Sequence, residues 1–134
     1  MPCRILVIDD YVPAATAIAR LLRLSGHTVM TSFSATDAVA IALEFRPDVI
    51  FLEIGHGGPD DGVTVASRLR AQRCFDRTLI VALTGSEGEG EVRRTRAAGF
   101  DHHLVKPVGL EVMQSVIARA GSSQEGRRAN SISI

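Results

Sequence analysis

VIFLEIGHGGPDDG, residues 49–62, is a run of four strand-forming residues that ends in an acid and then a glycine-rich loop. Val49, Ile50, Phe51 and Leu52 are apolar at every position, with no polar alternation. A strand of that kind is covered on both faces, as in a parallel sheet flanked by helices. Glu53 then stands at the strand's end, where such a fold presents chemistry to solvent. What this carboxylate does, and why it is a glutamate, depends on the neighbours that the rest of the chain brings to it.

Four further short runs read as strands: RILVI (4–8), TVMTS (28–32), LIVAL (79–83) and HHLV (102–105), of which RILVI and LIVAL are likewise apolar on both faces. Between them the apolar residues recur at helical spacing. Ala14, Ile18, Leu21 and Leu22 share a face, and Gly26 sits where a left-handed residue would end that helix. Ser34 with Asp37 resembles a capping box, and behind it Ala38, Ile41, Ala42 and Phe45 form a stripe. The last helix, 110–120, repeats the pattern through Leu110, Met113, Val116, Ile117 and Ala120. The fourth helix is the weak one: Gly88 and Gly90 open it, each costing about 1 kcal/mol against alanine. Its apolar face is little more than Val92, Ala97 and Ala98. Five strand–helix repeats of this length predict an α/β fold: a parallel sheet with right-handed crossovers and helices on both faces. Residues 1–121 read as one domain, and the small, polar residues 122–134 as a flexible tail.

Composition narrows the function classes. Fifteen basic and fifteen acidic residues in 134 cancel, so no electrostatic footprint points to nucleic acid or to an anionic membrane surface. No apolar run reaches the length of a membrane span, and the start of the chain lacks a signal-peptide pattern. Cys3 and Cys74 match no metal spacing and read as two small, buried or half-buried thiols in a reducing compartment. The expectation is a soluble, cytoplasmic domain.

In an open parallel sheet, ligands sit beyond the carboxyl ends of the strands. The residues that follow the strands here are Asp9 and Asp10, Glu53, Thr84, and Lys106–Pro107. Taken singly, each has a plain reading: the Asp pair as a turn or cap, Thr84 as the cap of the fourth helix, Lys106 as a surface residue before a proline. Taken together, three acids, a hydroxyl and an ammonium on successive strand ends form a constellation. It resembles the receiver domain of two-component response regulators, over about residues 4–120. The stretch AAGFDHHLVKPV (97–108) is especially similar to that family, including receivers attached to hybrid histidine kinases.

The resemblance implies a flavodoxin-like (βα)5 domain with strand order 2-1-3-4-5, acting as a phosphoryl-accepting switch. It implies that Asp9 and Asp10 help to hold Mg2+, with the backbone carbonyl of Gly55 as a further ligand. Glu53 would occupy the acceptor position, with Thr84 and Lys106 contacting the phosphoryl oxygens. His103 would follow the movement of the Thr84 hydroxyl, and Lys106–Pro107 would be cis. The chemistry suits these residue types. Magnesium takes oxygen ligands and bridges carboxylate to phosphate, and phosphoryl transfer is mostly positioning and charge neutralisation. The implied partners are a histidine kinase or phosphotransfer protein, and a downstream protein target on the surface of the fourth helix, fifth strand and last helix. A homodimer is open, and no enzyme activity beyond phosphoryl acceptance is expected.

The sequence departs from the family pattern at one place. Glu53 stands where the family has aspartate, and its carboxylate lies one methylene, about 1.5 Å, further out. A misplacement near 1 Å can cost on the order of 10²-fold in rate. The loop after it is longer by a residue, with Gly57 at the usual proline position, Pro59 six after Glu53 and Gly62 nine after. Tyr11 follows the acid pair where a polar residue is usual. These departures predict a degenerate receiver that keeps the fold and a metal pocket, with Glu53 either imitating the phosphorylated state or pairing with Lys106 to hold the domain off. The competing expectation is slow phosphoryl acceptance at Glu53, Asp60 or Asp61. A magnesium-dependent phosphatase is disfavoured because Tyr11 stands where its second acid belongs, and no phosphate-cradling glycine motif supports a nucleotide-binding protein.

Overall fold

The computed structural model describes residues 2–55, 61–85 and 89–120, with the backbone alone at 89–91. The strands are β1 (Arg4–Ile8), β2 (Thr28–Ser32), β3 (Val49–Glu53), β4 (Leu79–Thr84) and β5 (His102–Val105). The helices are α1 (Val12–Leu24), α2 (Ala35–Phe45), α3 (Gly62–Arg70), α4 (Glu89–Ala98) and α5 (residues 110–120), with a 3-10 turn at Arg73–Phe75. All four strand pairs are parallel and the order is β2-β1-β3-β4-β5, the doubly wound arrangement expected from the sequence. The expected domain end at 121, the tail 122–134 and the loop 56–60 lie outside the described residues.

The central strands explain the fold because they bury both faces. Leu6, Ile8, Ile50, Leu52, Ile80 and Ala82 pack against α2, α3 and the end of α4. Their sequence neighbours Ile5, Val7, Val49, Phe51, Val81 and Leu83 pack against α1 and α5. A period of two thus feeds two cores from one strand, which is why these runs show no polar alternation. Polar side chains are left only at the strand ends.

Local signals set the helix boundaries. Ser34 caps α2 by accepting from Thr36 N at 3.1 Å. Arg46, at φ 55°, followed by Pro47, ends the same helix. Gly26 takes the left-handed conformation after α1, as expected.

Several sequence expectations are corrected. The buried face of α1 is Ala15, Ala19 and Leu22, rotated from the expected one, so Leu21 is exposed. On α4, Ala97 is exposed, and the residue buried beside Ala98 is the polar Thr95. The cysteines are free, but Cys74 is exposed where a buried or half-buried thiol was expected. Thr84 ends β4, and the described part of α4 begins at Glu89.

One side chain joins the far ends of four elements. The Arg70 guanidinium donates to the carbonyls of Gly99 (2.8 Å), Phe75 (2.7 Å) and Thr78 (2.9 Å). It also pairs with Asp101 at 2.6 Å, and that carboxylate accepts from Ile80 N. Gly99 permits this approach: its φ is +100°, and a Cβ there would stand 2.5 Å from Arg70 Cγ. Arg70→Ala removes the guanidinium from three carbonyls and from a carboxylate that is 27% exposed, and is expected to cost about 2–3 kcal/mol. Urea unfolding reads this as a lower midpoint at unchanged slope. A loss within the surface range of about 0.5 kcal/mol would show the network to be dispensable.

Candidate functional site

β1 and β3 are neighbours in register, Ile8 opposite Leu52, so the residues that follow them meet at one sheet edge. There Asp9, Asp10 and Glu53 each offer a carboxylate oxygen within 4.8 Å of the others. Asp9 is buried, Glu53 half-buried and Asp10 exposed. Gly55 lines the same small cleft, of about 60 Å3, with Ala35, Gly62 and Val65. Lys106 enters from the far side of the sheet. Its Nζ lies 3.3 Å from Asp9 Oδ2 and 3.5 Å from Glu53 Oε1. The other oxygen of Asp9 accepts from Tyr11 N at 2.9 Å. Asp9 therefore makes the turn that a plain reading gave the acid pair and also belongs to the cluster.

The backbone around the cleft is held closely. Ile54 N donates to Leu83 O at 2.9 Å, continuing the β3–β4 ladder one residue past Glu53. Lys106 N donates to Thr84 O at 2.7 Å and aligns the β5 exit with the end of β4. The Lys106–Pro107 peptide is cis. Gly62 begins α3 directly against the Glu53 carbonyl, and a Cβ there would stand 2.4 Å from that oxygen. The sequence spacing marked Gly62 as displaced by one residue, and its position shows why a side chain is not tolerated.

Of the remaining expected residues, Thr84 is buried at the end of β4, next to β5. His103 lies on β5, where its Nδ1 meets Thr95 Oγ1 of α4 at 3.2 Å. Neither lines the acid cleft. Asp61, an alternative acceptor, has both oxygens engaged: one caps α3 at Thr64 N (3.0 Å) and the other meets Arg94 Nη2 (2.9 Å). Asp60 lies outside the described residues. Arg94 and Thr95 went unnoticed in the sequence because nothing in a helix of mixed charge distinguishes the two that touch other elements.

Comparison with known proteins agrees with this architecture. The family described as response regulator receiver domain matches residues 5–118. The transcriptional regulatory protein PrrA of Mycobacterium leprae is 34% identical over 131 residues, 97% of this chain and 53% of that protein. The virulence sensor protein BvgS of Bordetella bronchiseptica is 30% identical over 124 residues, 89% of this chain and 10% of that one. The chain thus spans about half the length of the first relative and a tenth of the second. Among solved structures, NtrX of Brucella abortus superposes with a TM-score of 0.86 at 25% identity, covering 98% of this chain and 30% of that one. The chemotaxis protein CheY4 of Vibrio cholerae gives 0.82 at 24% identity, covering 90% and 99%. Among the described residues no helix is long and apolar enough to cross a membrane.

Electrostatics at Glu53 oppose one another. Burial pushes its carboxyl above the ordinary value of 4.5, the Lys106 ammonium pulls it back, and Asp9 and Asp10 push it up again. The net direction is upward, so the charged form costs more in the folded state than in the unfolded chain. This relative preference for the neutral form stabilises the fold below the ordinary value and is lost as pH rises through the folded one. Glu53→Gln, neutral throughout, is therefore expected to be more stable than the parent at pH 7, with the difference shrinking as pH falls through the raised folded value and gone below 4.5. Urea midpoints at pH 7 and pH 4 check this. A gap of equal size at both, or a less stable variant at pH 7, would contradict the assignment.

Proposed function

The chain belongs to the response regulator receiver domain family, and from that membership we infer an atypical receiver of two-component signalling, with Glu53 at the acceptor position. The observation that carries this reading is the Lys106 ammonium, within ion-pair distance of both Asp9 and Glu53. In this assignment Lys106 and the Thr84 hydroxyl are the groups that meet the oxygens of a phosphoryl group. Glu53 brings its own negative charge to the same ammonium. The pocket thereby gains a standing carboxylate–ammonium pair that needs no phosphoryl transfer, and the domain acts as a binding module. The extra methylene of Glu53 supports slow transfer at best, because reacting atoms must meet at about 3–3.5 Å.

Asp9, Asp10, Glu53 and the Gly55 carbonyl are the groups that would hold Mg2+. Three carboxylate oxygens within 4.8 Å are the hard donor set this ion prefers. When bound, the ion supplies positive charge that neutralises phosphoryl oxygens. The chain's own residues supply the rest: Asp9 and Asp10 collect the cation, Lys106 adds a second positive charge, and the Gly62 contact fixes the β3–α3 exit.

The reading assigns two kinds of partner. A histidine kinase or phosphotransfer protein would approach the acid cleft, and a downstream protein would use α4, β5 and α5. Support for the second comes from β5, an edge strand with all four residues half-buried, and from a groove of about 410 Å3 between β5 and α5. Val112, 47% exposed, lines that groove with His103 and Arg119. A second copy of the chain is the other occupant that fits.

Intact mass after incubation with acetyl phosphate and magnesium tests the acceptor assignment. Glu53→Asp is expected to gain one phosphoryl group, and the parent to gain it on the order of 10²-fold more slowly or not at all. Equal gain by the parent would make this an ordinary working receiver and end the atypical reading.

A further inference from the structure

Asp61 is a buried carboxylate beside the acid cleft that the chemistry above does not use. Its side chain is 5% exposed. A Cβ placed on Gly55 would stand 3.6 Å from Asp61 Cβ, so Asp61 flanks the chain leaving Glu53. One Asp61 oxygen caps α3 at Thr64 N, and the other holds Arg94 of α4. An ionised group this buried depends on its cation, so α3's first turn and α4 are joined through one carboxylate.

The next residue of α4, Thr95, faces elsewhere. It is 2% exposed, and its hydroxyl donates to Val92 O at 2.9 Å. The same hydroxyl oxygen meets His103 Nδ1 at 3.2 Å. Successive helical residues point about 100° apart. Arg94 thus grips the start of α3 while Thr95 grips β5, and any roll or slide of α4 changes both contacts together. The rest of α4's described buried face is small, little beyond Ala98, which suits an element that shifts.

We propose that the Asp61–Arg94 ion pair is a positioning link, through which the state of the acid cleft sets α4 and thereby the His103 ring on β5. The link runs from Glu53, whose carbonyl Gly62 abuts, through the adjacent Asp61 to Arg94, Thr95 and His103. It rests on the reading of the cleft as the place where the domain's state is set.

The ring nitrogen signals of His103, which report the nitrogen that carries the proton, test it in the full 134-residue chain. Two perturbations of the cleft are used, added Mg2+ and Glu53→Gln. Each is expected to move the His103 signals when Arg94 is present. In Arg94→Gln the movement should fall at least threefold, while Mg2+ affinity read at the Asp9 and Asp10 amides changes less than twofold. Arg94→Lys keeps the charge and should recover at least half of the response. Thr95→Val should abolish the response with Asp61 and Arg94 intact. An undiminished His103 response in Arg94→Gln overturns the link, as does a His103 that answers neither perturbation in the parent. If Mg2+ leaves the Asp9 and Asp10 amides unmoved, the metal reading fails separately, and the Glu53→Gln arm alone decides the link.

Discussion

Three carboxylates gathered at one sheet edge repel one another, and the fold meets that constraint with a cation from a different strand. Asp9 and Asp10 follow β1, Glu53 ends β3, and these strands are neighbours, so the acids meet because of strand order. Lys106 follows β5, two strands away from β3, and its long side chain returns to lie between Asp9 and Glu53. Asp9 is buried with that ammonium as its partner, which makes the end of the edge strand part of the pocket. Every element that holds β5 in register therefore also holds the charge balance of the site. Burial, with the neighbouring Asp9 and Asp10 adding to it, pushes the Glu53 carboxyl up against the pull of that one ammonium.

α3 is the element through which this pocket meets the rest of the molecule. At its start Gly62 abuts the Glu53 carbonyl, while Asp61 caps the helix and holds Arg94. At its end Arg70 binds the turn before β4 and the turn between α4 and β5. α3 is thus tied by charged groups at both its ends to α4 and to the turn that follows it. This fits a signalling domain, in which a change at one sheet edge has to be felt on another face.

The fold was readable from residue patterns to an unusual extent. The runs RILVI, VIFL and LIVAL lack alternation because each feeds two cores, and that signature belongs to a doubly covered parallel sheet. The site acids were readable for the same reason: a polar residue at the end of such a strand stands out against its apolar run. The misreadings arose where periodicity is degenerate. On α1, Leu21 and Ala15 are both compatible with a helical stripe, and only packing against β1 and β2 selects Ala15 and leaves Leu21 exposed. On α4, Ala97 was expected in the core and is exposed, while Thr95, which no sequence signal marked, is buried. Thr95 is buried because its hydroxyl is satisfied twice, by Val92 O and by His103.

Local chemistry was enough to set the strand identities, the helix caps at Ser34 and Gly26, and the acids at the strand ends, because each depends on a residue and its near neighbours. Which charges meet was decided by the tertiary structure alone. Lys106 lies 97 residues from Asp9, Arg94 lies 33 from Asp61 and Arg70 lies 31 from Asp101. Their pairing depends on strand order and helix placement, which bring together groups whose positions along the chain carry no trace of the contact. A charged residue on a helix looks the same in sequence whether it faces water or a buried carboxylate, and only the packed structure removes the water that makes the difference.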